Sequence, residues 1–128
     1  PVAAGERLYT RWAFRELLEK QVVDYIQPDL CHCGGFLEGY KIATMAEAYH
    51  IRVLPHNPNG PISTLVGIHL GACIANFEML EYPRRPADEK SVIENMPRVE
   101  DGYIEVPDGP GWGVELDEEA MAEFAPEA

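Results

Sequence analysis

Four ionisable side chains follow short apolar runs of the sequence, and together they could form a reaction centre: Glu6, Asp29, His56 and Glu81. Subtraction of their residue numbers gives intervals of 23, 27 and 25 residues. Each interval is close to one strand–helix unit of a parallel barrel, in which about 250 residues make eight units. Because the carboxyl ends of parallel strands meet at one rim, the spacing predicts that all four side chains lie there.

The chemistry that suits these residue types is proton abstraction next to a stabilised negative charge. A carboxylate at Asp29 can fix the tautomer of His56 and stabilise its imidazolium, giving a general base worth about 10²–10⁴ in rate. Glu6 suits a hard Mg²⁺ ion held by oxygen atoms, although one carboxylate is too few for a tight site. Each residue alone also fits a structural role in a turn or loop, and their joint recurrence at strand ends favours the functional interpretation.

The segment Cys31-His32-Cys33 resembles a soft-metal cluster, but it lacks the two-residue spacer that lets thiolates converge on zinc. The following Gly34 and Gly35 indicate a tight strand-to-helix turn, with anion binding at a helix N-terminus as the weaker alternative. Three cysteines cannot all pair within one chain, so a disulfide framework is disfavoured and a reducing cytoplasm is expected.

The elements that must position these side chains alternate along the chain. Short apolar runs alternate with longer stretches of helical period, which predicts an α/β fold with a parallel sheet. The predicted helices cover residues 12–20, 36–50 and 62–76, and the predicted strands cover 22–26, 51–54 and 77–80. Beyond Tyr82 the chain becomes rich in proline and charge, with a short strand predicted at 103–106 and a helix at 118–124 capped by Asp117.

Composition excludes several classes of protein. The 128 residues are 46% hydrophobic and 25% charged, which is typical of a globule and not of a disordered chain. No apolar run reaches the roughly 18 residues needed to cross a bilayer. A net charge of −12 argues against nucleic acid or an anionic membrane surface as a partner. Much of that charge falls within residues 114–128, where a solvated acidic tail is expected and steering of a cationic partner is the alternative.

Several segments also resemble a known family. They cover residues 5–12, 27–35, 45–49, 55–61 and 110–117. Together they resemble the carboxyl-terminal part of the mandelate racemase subgroup of the enolase superfamily, and within it the sugar-acid dehydratases of the galactonate type. The resemblance runs over nearly the whole chain.

This resemblance implies a modified TIM-type barrel of seven βα units and a last strand, closed by a capping domain. Residues 1–82 would form the carboxyl-terminal half of the barrel, and residues 83–128 would be an extension packing with the capping domain. Glu6 matches the last of three carboxylate ligands of Mg²⁺, and Asp29 with His56 matches an Asp–His pair. Glu81 matches a carboxylate that hydrogen-bonds the substrate carboxylate or the enolate oxygen.

The reaction implied by the resemblance is dehydration of an aldonic acid. His56 would remove the proton alpha to the carboxylate, the metal and Glu81 would stabilise the enediolate, and loss of the 3-hydroxyl would give a 2-keto-3-deoxy acid. A racemase or epimerase of a 2-hydroxy acid, or a non-catalytic fragment or pseudoenzyme, are the alternatives.

Half of a barrel would leave open edges and a bare apolar core. We therefore expect the chain to need the remainder of a longer protein, or another chain, to supply the capping domain, the earlier strands, the other metal ligands and the general acid. The fragment is not expected to fold alone, and the complete enzyme is expected to be a homo-oligomer.

Overall fold

The computed structural model describes residues 1–83 and 91–123. Its main sheet contains three parallel strands in chain order: β1 (Ala3–Ala4), β2 (Tyr25–Ile26) and β3 (Arg52–Val53). Their register aligns Ala4, Ile26 and Val53 across the sheet. The parallel order confirms the alternation of strands and helices predicted from the sequence.

Three helices follow these strands: α1 (Thr10–Lys20), α2 (Phe36–Glu47) and α3 (Pro61–Cys73). The three helices predicted within residues 1–82 are therefore present, with shifted ends. The predicted end of α2 at residue 50 is wrong, because the Ile51 amide bonds the Ala46 carbonyl at 3.1 Å and His50 takes a left-handed conformation with φ of 58°. This turn closes the helix and returns the chain to β3.

The core lies between the helices and the sheet. Phe14 and Leu18 of α1 are fully buried, as are Ile26 of β2 and Ile42 of α2. Each such side chain stabilises the fold by about 1.5–3 kcal/mol relative to an exposed one. The predicted burial of α3 is confirmed, since its buried residues include Ser63, Thr64, Leu65, Gly67, Ile68 and Leu70.

The four-residue strand predicted at 77–80 is wrong in length. Only Phe77 pairs, in a single parallel bridge with Val53, and the Glu78 amide donates to the Val53 carbonyl at 2.9 Å. The next bond of a parallel ladder would need an N–H from Pro55, and proline has none. The ladder therefore stops after one bridge, although the chain continues toward Glu81 in the predicted direction.

The remaining strands form short antiparallel pairs, of which the sequence indicated only the segment at 103–106. β4 (Ile93–Glu94) pairs with β7 (Glu115–Leu116), and β5 (Val99–Glu100) pairs with β6 (Tyr103–Ile104). The strand predicted at 103–106 is thus two residues long.

A short helix, α4 (Glu118–Glu123), ends the described part of the chain. The predicted cap is confirmed, because Asp117 Oδ1 accepts a hydrogen bond from the Ala120 amide at 2.8 Å. The predicted helix end at residue 124 lies outside the described residues. Within residues 1–83 and 91–123, we find no helix with both the length and the apolar character that crossing a bilayer requires.

Candidate active site

The candidate site lies at the carboxyl ends of the parallel strands. Asp29 and His56 each follow their strand by three residues and form a parallel backbone bridge with one another. The His56 amide donates to the Pro28 carbonyl at 3.2 Å, which extends the pairing of β2 with β3 beyond the strands themselves. The register of the sheet therefore brings an imidazole and a carboxylate side by side.

The His56 ring lies between two carboxylates. Its Nδ1 is 3.0 Å from Asp29 Oδ2, and its Nε2 is 3.3 Å from Glu6 Oε2. The Asp29 side chain is 1% exposed, whereas the Glu6 side chain is 53% exposed. Since an ionised carboxylate only accepts hydrogen bonds, the contact with Asp29 favours the proton on Nδ1, and Nε2 donates to Glu6 only when the ring carries a second proton.

Glu81 lies at the same rim, where it contacts Asn57, the residue that follows His56 in the chain. Its Oε2 accepts a hydrogen bond from the Asn57 amide at 2.8 Å, and its carbonyl accepts one from Asn57 Nδ2 at 3.0 Å. Asn57 Nδ2 also donates to Thr64 Oγ1 of α3 at 2.9 Å. Of the four predicted residues, Glu6, Asp29 and His56 thus make direct contacts, and Glu81 joins them through buried Asn57.

Two asparagines that the sequence analysis did not single out belong to this network. Asn57 holds Glu81, and Asn59 Nδ2 lies 3.3 Å from Asp29 Oδ1 and 3.1 Å from Asp29 Oδ2. Asparagine beside proline and glycine usually indicates only a turn, so their type gave no functional signal. Their position immediately after His56 was the one available clue.

Glycine is required at the position preceding Glu6. Gly5 has φ of +123°, and a Cβ atom there would lie 2.7 Å from Cε1 of the buried Phe14 ring. Both the backbone conformation and the close approach exclude a larger residue. The turn before α2 is built in the same way, because Gly34 and Gly35 have φ of +117° and +85°. These values account for the tight strand-to-helix turn predicted there.

The segment Cys31-His32-Cys33 is a poor setting for a soft metal. Burial raises the pKa of the Cys33 thiol to about 11, and the nearby Asp29 and Glu38 carboxylates add to the effect. A metal-binding thiolate is therefore disfavoured. Over residues 1–83 and 91–123, no group of three or more histidine, cysteine, aspartate and glutamate side chains is arranged to hold a metal ion.

The family follows from comparison with known proteins. The model of the "Enolase C-terminal domain-like" family matches residues 1–120. The chain belongs to this family. The predicted superfamily and α/β fold class are therefore confirmed.

Curated relatives of this enolase-type chain include sugar-acid dehydratases. It is 38% identical to a D-galactonate dehydratase of Ralstonia pickettii (strain 12J), over 100% of this chain and 35% of that protein. It is also 38% identical to a D-xylonate dehydratase of Haloferax volcanii, over 94% of this chain and 30% of that protein. The chain thus spans about a third of the length of these relatives.

Solved structures of the enolase superfamily share the fold of the chain. An enolase from Agrobacterium radiobacter, bound to Na and L-malate, superposes with a TM-score of 0.88 at 43% identity, covering 94% of this chain and 34% of that one. A superfamily member from Salmonella Typhimurium gives a TM-score of 0.89 at 42% identity, covering 96% of this chain and 32% of that one.

Proposed function

We propose that this chain supplies the general base and one metal ligand of a sugar-acid dehydratase. The observation that carries the proposal is the buried hydrogen bond between Asp29 Oδ2 and His56 Nδ1, at the carboxyl ends of paired parallel strands. The two curated relatives described above are named as dehydratases of galactonate and xylonate, which are both aldonic acids.

In this proposal His56 Nε2 removes the proton alpha to the substrate carboxylate. Asp29 holds the Nδ1 proton in place, so the lone pair of Nε2 faces the rim and is ready to accept the proton. The positive charge that His56 gains then lies 3.0 Å from Asp29 Oδ2 and 3.3 Å from Glu6 Oε2. Asp29 stabilises that charge most strongly because it is buried, whereas a bound Mg²⁺ would offset the negative charge of Glu6.

Glu6 fits the role of a magnesium ligand. It offers a carboxylate on the rim, more than half exposed, and carboxylate oxygens are what Mg²⁺ prefers. A bound Mg²⁺ would act as a Lewis acid toward the negative charge that develops on a substrate oxygen. The Agrobacterium radiobacter relative offers parallel support, since L-malate is a 2-hydroxy acid and was bound together with a cation, Na.

We assign Glu81 a hydrogen bond to the substrate carboxylate or to the oxygen that gains charge as the proton leaves, a contact in which the Glu81 carboxyl group must carry a proton to act as the donor. The bond from the Asn57 amide holds one of its carboxylate oxygens at 2.8 Å, so the side chain is positioned before substrate arrives. Such pre-positioning lowers the reorganisation that the reaction requires.

The chain would work as part of a larger assembly. We propose that residues 1–82 form the carboxyl-terminal half of the barrel and that residues 83–128 pack with the capping domain. Exposed apolar side chains such as Val2, Trp12 and Leu37 would then meet the remaining elements. The general acid that protonates the leaving 3-hydroxyl, and the other metal ligands, would come from those elements.

The test is a panel of aldonic acids incubated with the full-length protein and Mg²⁺, with 2-keto acid as the measured product. Product from at least one aldonic acid supports the proposal. Racemisation or epimerisation of a 2-hydroxy acid without keto acid would replace it with the racemase hypothesis. No reaction and no alpha-proton exchange in deuterated water would favour a non-catalytic protein.

A histidine variant tests the assigned base within the same assay. His56→Asn should abolish alpha-proton exchange with deuterated water. The matched control is His50→Asn, because His50 is exposed and its φ of 58° suits asparagine. Exchange retained in His56→Asn would remove His56 from the role of base.

A further inference from the structure

We propose that Asn59 is a positioning residue for the Asp29–His56 pair, a role that rests on the proposed function of that pair. Asn59 belongs to the loop after β3, whereas Asp29 belongs to the loop after β2. The hydrogen bonds of Asn59 Nδ2 to Asp29, at 3.1 and 3.3 Å, therefore join the two loops that carry the proposed general base and its carboxylate.

The three donors around Asp29 have complementary roles. The Cys31 amide donates to Oδ1 at 2.7 Å, and His56 Nδ1 lies 3.0 Å from Oδ2. Asn59 Nδ2 lies within 3.3 Å of both oxygens. A donor shared by both oxygens fixes the direction in which the carboxyl group points, while the Cys31 amide fixes its rotation. Together they direct Oδ2 at the imidazole.

The chemistry of the contact also fixes which end of the Asn59 amide faces Asp29. An amide oxygen facing a carboxylate would place two acceptors together, so the NH₂ group must face Asp29. Asp29 is 1% exposed, and a carboxylate removed from water needs such donors in place of water. A correctly turned Asp29 directs Oδ2 at Nδ1 of His56, which favours the tautomer with the proton on Nδ1.

The experiment compares Asn59→Leu with the wild type in the full-length protein. Leu has a similar size and no donor, so Asp29 loses the shared bond. We expect kcat for sugar-acid turnover to fall about 10–100-fold, with KM changed less than about threefold, because partners of a functional side chain typically have effects of this size. In ¹⁵N-histidine spectra without substrate, His56 should change from a single Nδ1–H tautomer to a mixture.

The matched control is Asn76→Leu. Asn76 Nδ2 donates to the Ala43 and Ile51 carbonyls at 3.0 and 2.9 Å, remote from Asp29 in the hydrogen-bond network. This variant should lower the melting temperature and leave kcat and the His56 spectrum unchanged. Asn59→Ser, too short to reach Asp29, provides a second test if Asn59→Leu does not fold.

A wild-type His56 spectrum in a folded Asn59→Leu or Asn59→Ser variant would overturn the proposal. Because that spectrum is recorded without substrate, it reports on Asn59 even if the wild-type protein converts no sugar acid. Absence of turnover in the wild type would overturn the proposed function alone.

Discussion

Replacement of Asp29 by asparagine should disable the general base without changing the shape of the site. The wild-type carboxylate only accepts hydrogen bonds, and three donors surround it: the Cys31 amide, Asn59 Nδ2 and His56 Nδ1. An asparagine amide has one accepting oxygen and one donating NH₂ group. At least one of the three contacts would therefore place two hydrogen-bond donors against each other.

The distances show which contact changes. The Cys31 amide makes the shortest bond, at 2.7 Å, and its backbone proton cannot move. The new amide oxygen should keep this bond, which turns the NH₂ group toward His56 Nδ1. His56 must then accept at Nδ1 and carry its proton on Nε2, where it can no longer take a proton from substrate. Loss of a general base lowers the rate by about 10²–10⁴.

Asp29→Asn should also lower the free energy of unfolding. Asn59 Nδ2 would keep its 3.3 Å bond to the oxygen and lose the 3.1 Å bond at Oδ2, where it would meet the new NH₂ group in a site that is 1% exposed. Loss of a hydrogen bond to a charged acceptor costs about 1.5–3 kcal/mol.

The assay is alpha-proton exchange with deuterated water, measured by NMR for the full-length protein with an aldonic acid and Mg²⁺. Urea unfolding of the same samples reports stability. Asp24→Asn is the matched control, because Asp24 is exposed and its bond from the Val2 amide to Oδ2, at 2.6 Å, needs only one accepting oxygen. An exchange rate for Asp29→Asn within about threefold of the wild type would refute the tautomer argument, since general-base loss is far larger.

Two further predictions concern the metal and the buried thiol. Glu6→Gln should weaken Mg²⁺ binding at least about tenfold by calorimetry, since even indirect partners of a metal site have effects of this size. Cys33 should resist alkylation at pH 8 in the folded protein, because its pKa of about 11 leaves about 0.1% thiolate, while exposed Cys31 reacts. Since folding raises the Cys33 pKa, stability from this thiol is complete below its unfolded pKa of about 8.5 and is lost as pH rises through about 11.

The controls for these two predictions use the same chain. Glu16→Gln on the exposed face of α1 should leave Mg²⁺ affinity unchanged, and equal affinities in the two glutamate variants would remove Glu6 from the metal site. For the thiol, peptide mass spectrometry after labelling in urea should show Cys33 as reactive as Cys31. Equal labelling of the two cysteines in the folded state would contradict the burial argument.

The sequence predicted the helices and the parallel order because both depend on local patterns. Apolar spacing identified α1, α2 and α3, and the alternation of elements indicated neighbouring parallel strands. The boundaries depended on bonds that no pattern shows, such as the Ile51 amide closing α2 on the Ala46 carbonyl. The segment of β6 was predicted as a strand, but the pairing of β4 with β7 and of β5 with β6 was not, because nothing in the sequence of a two-residue strand shows which strand it pairs with.

The residues of the candidate site also fall into a group that the sequence predicted and a group that it did not. Residue type and strand-end position were enough to select His56 and its acidic neighbours. Asn57 and Asn59 were not selected, because an amide takes its role from the groups that the folded loops bring to it. The sequence shows that both loops exist, but it does not show that they lie close enough for Asn59 to reach Asp29.

The bridge between Asp29 and His56 has a consequence for how such a chain can vary. Asp29 follows Ile26, the last residue of β2, by three positions, and His56 follows Val53, the last residue of β3, by the same number. Lengthening the chain between Asp29 and β3, which includes α2, would change the interval between the two side chains and leave them paired. A single insertion between Ile26 and Asp29 would shift the carboxylate out of phase with the imidazole. Related chains can thus differ widely in helix and loop length, provided that these two three-residue offsets stay equal.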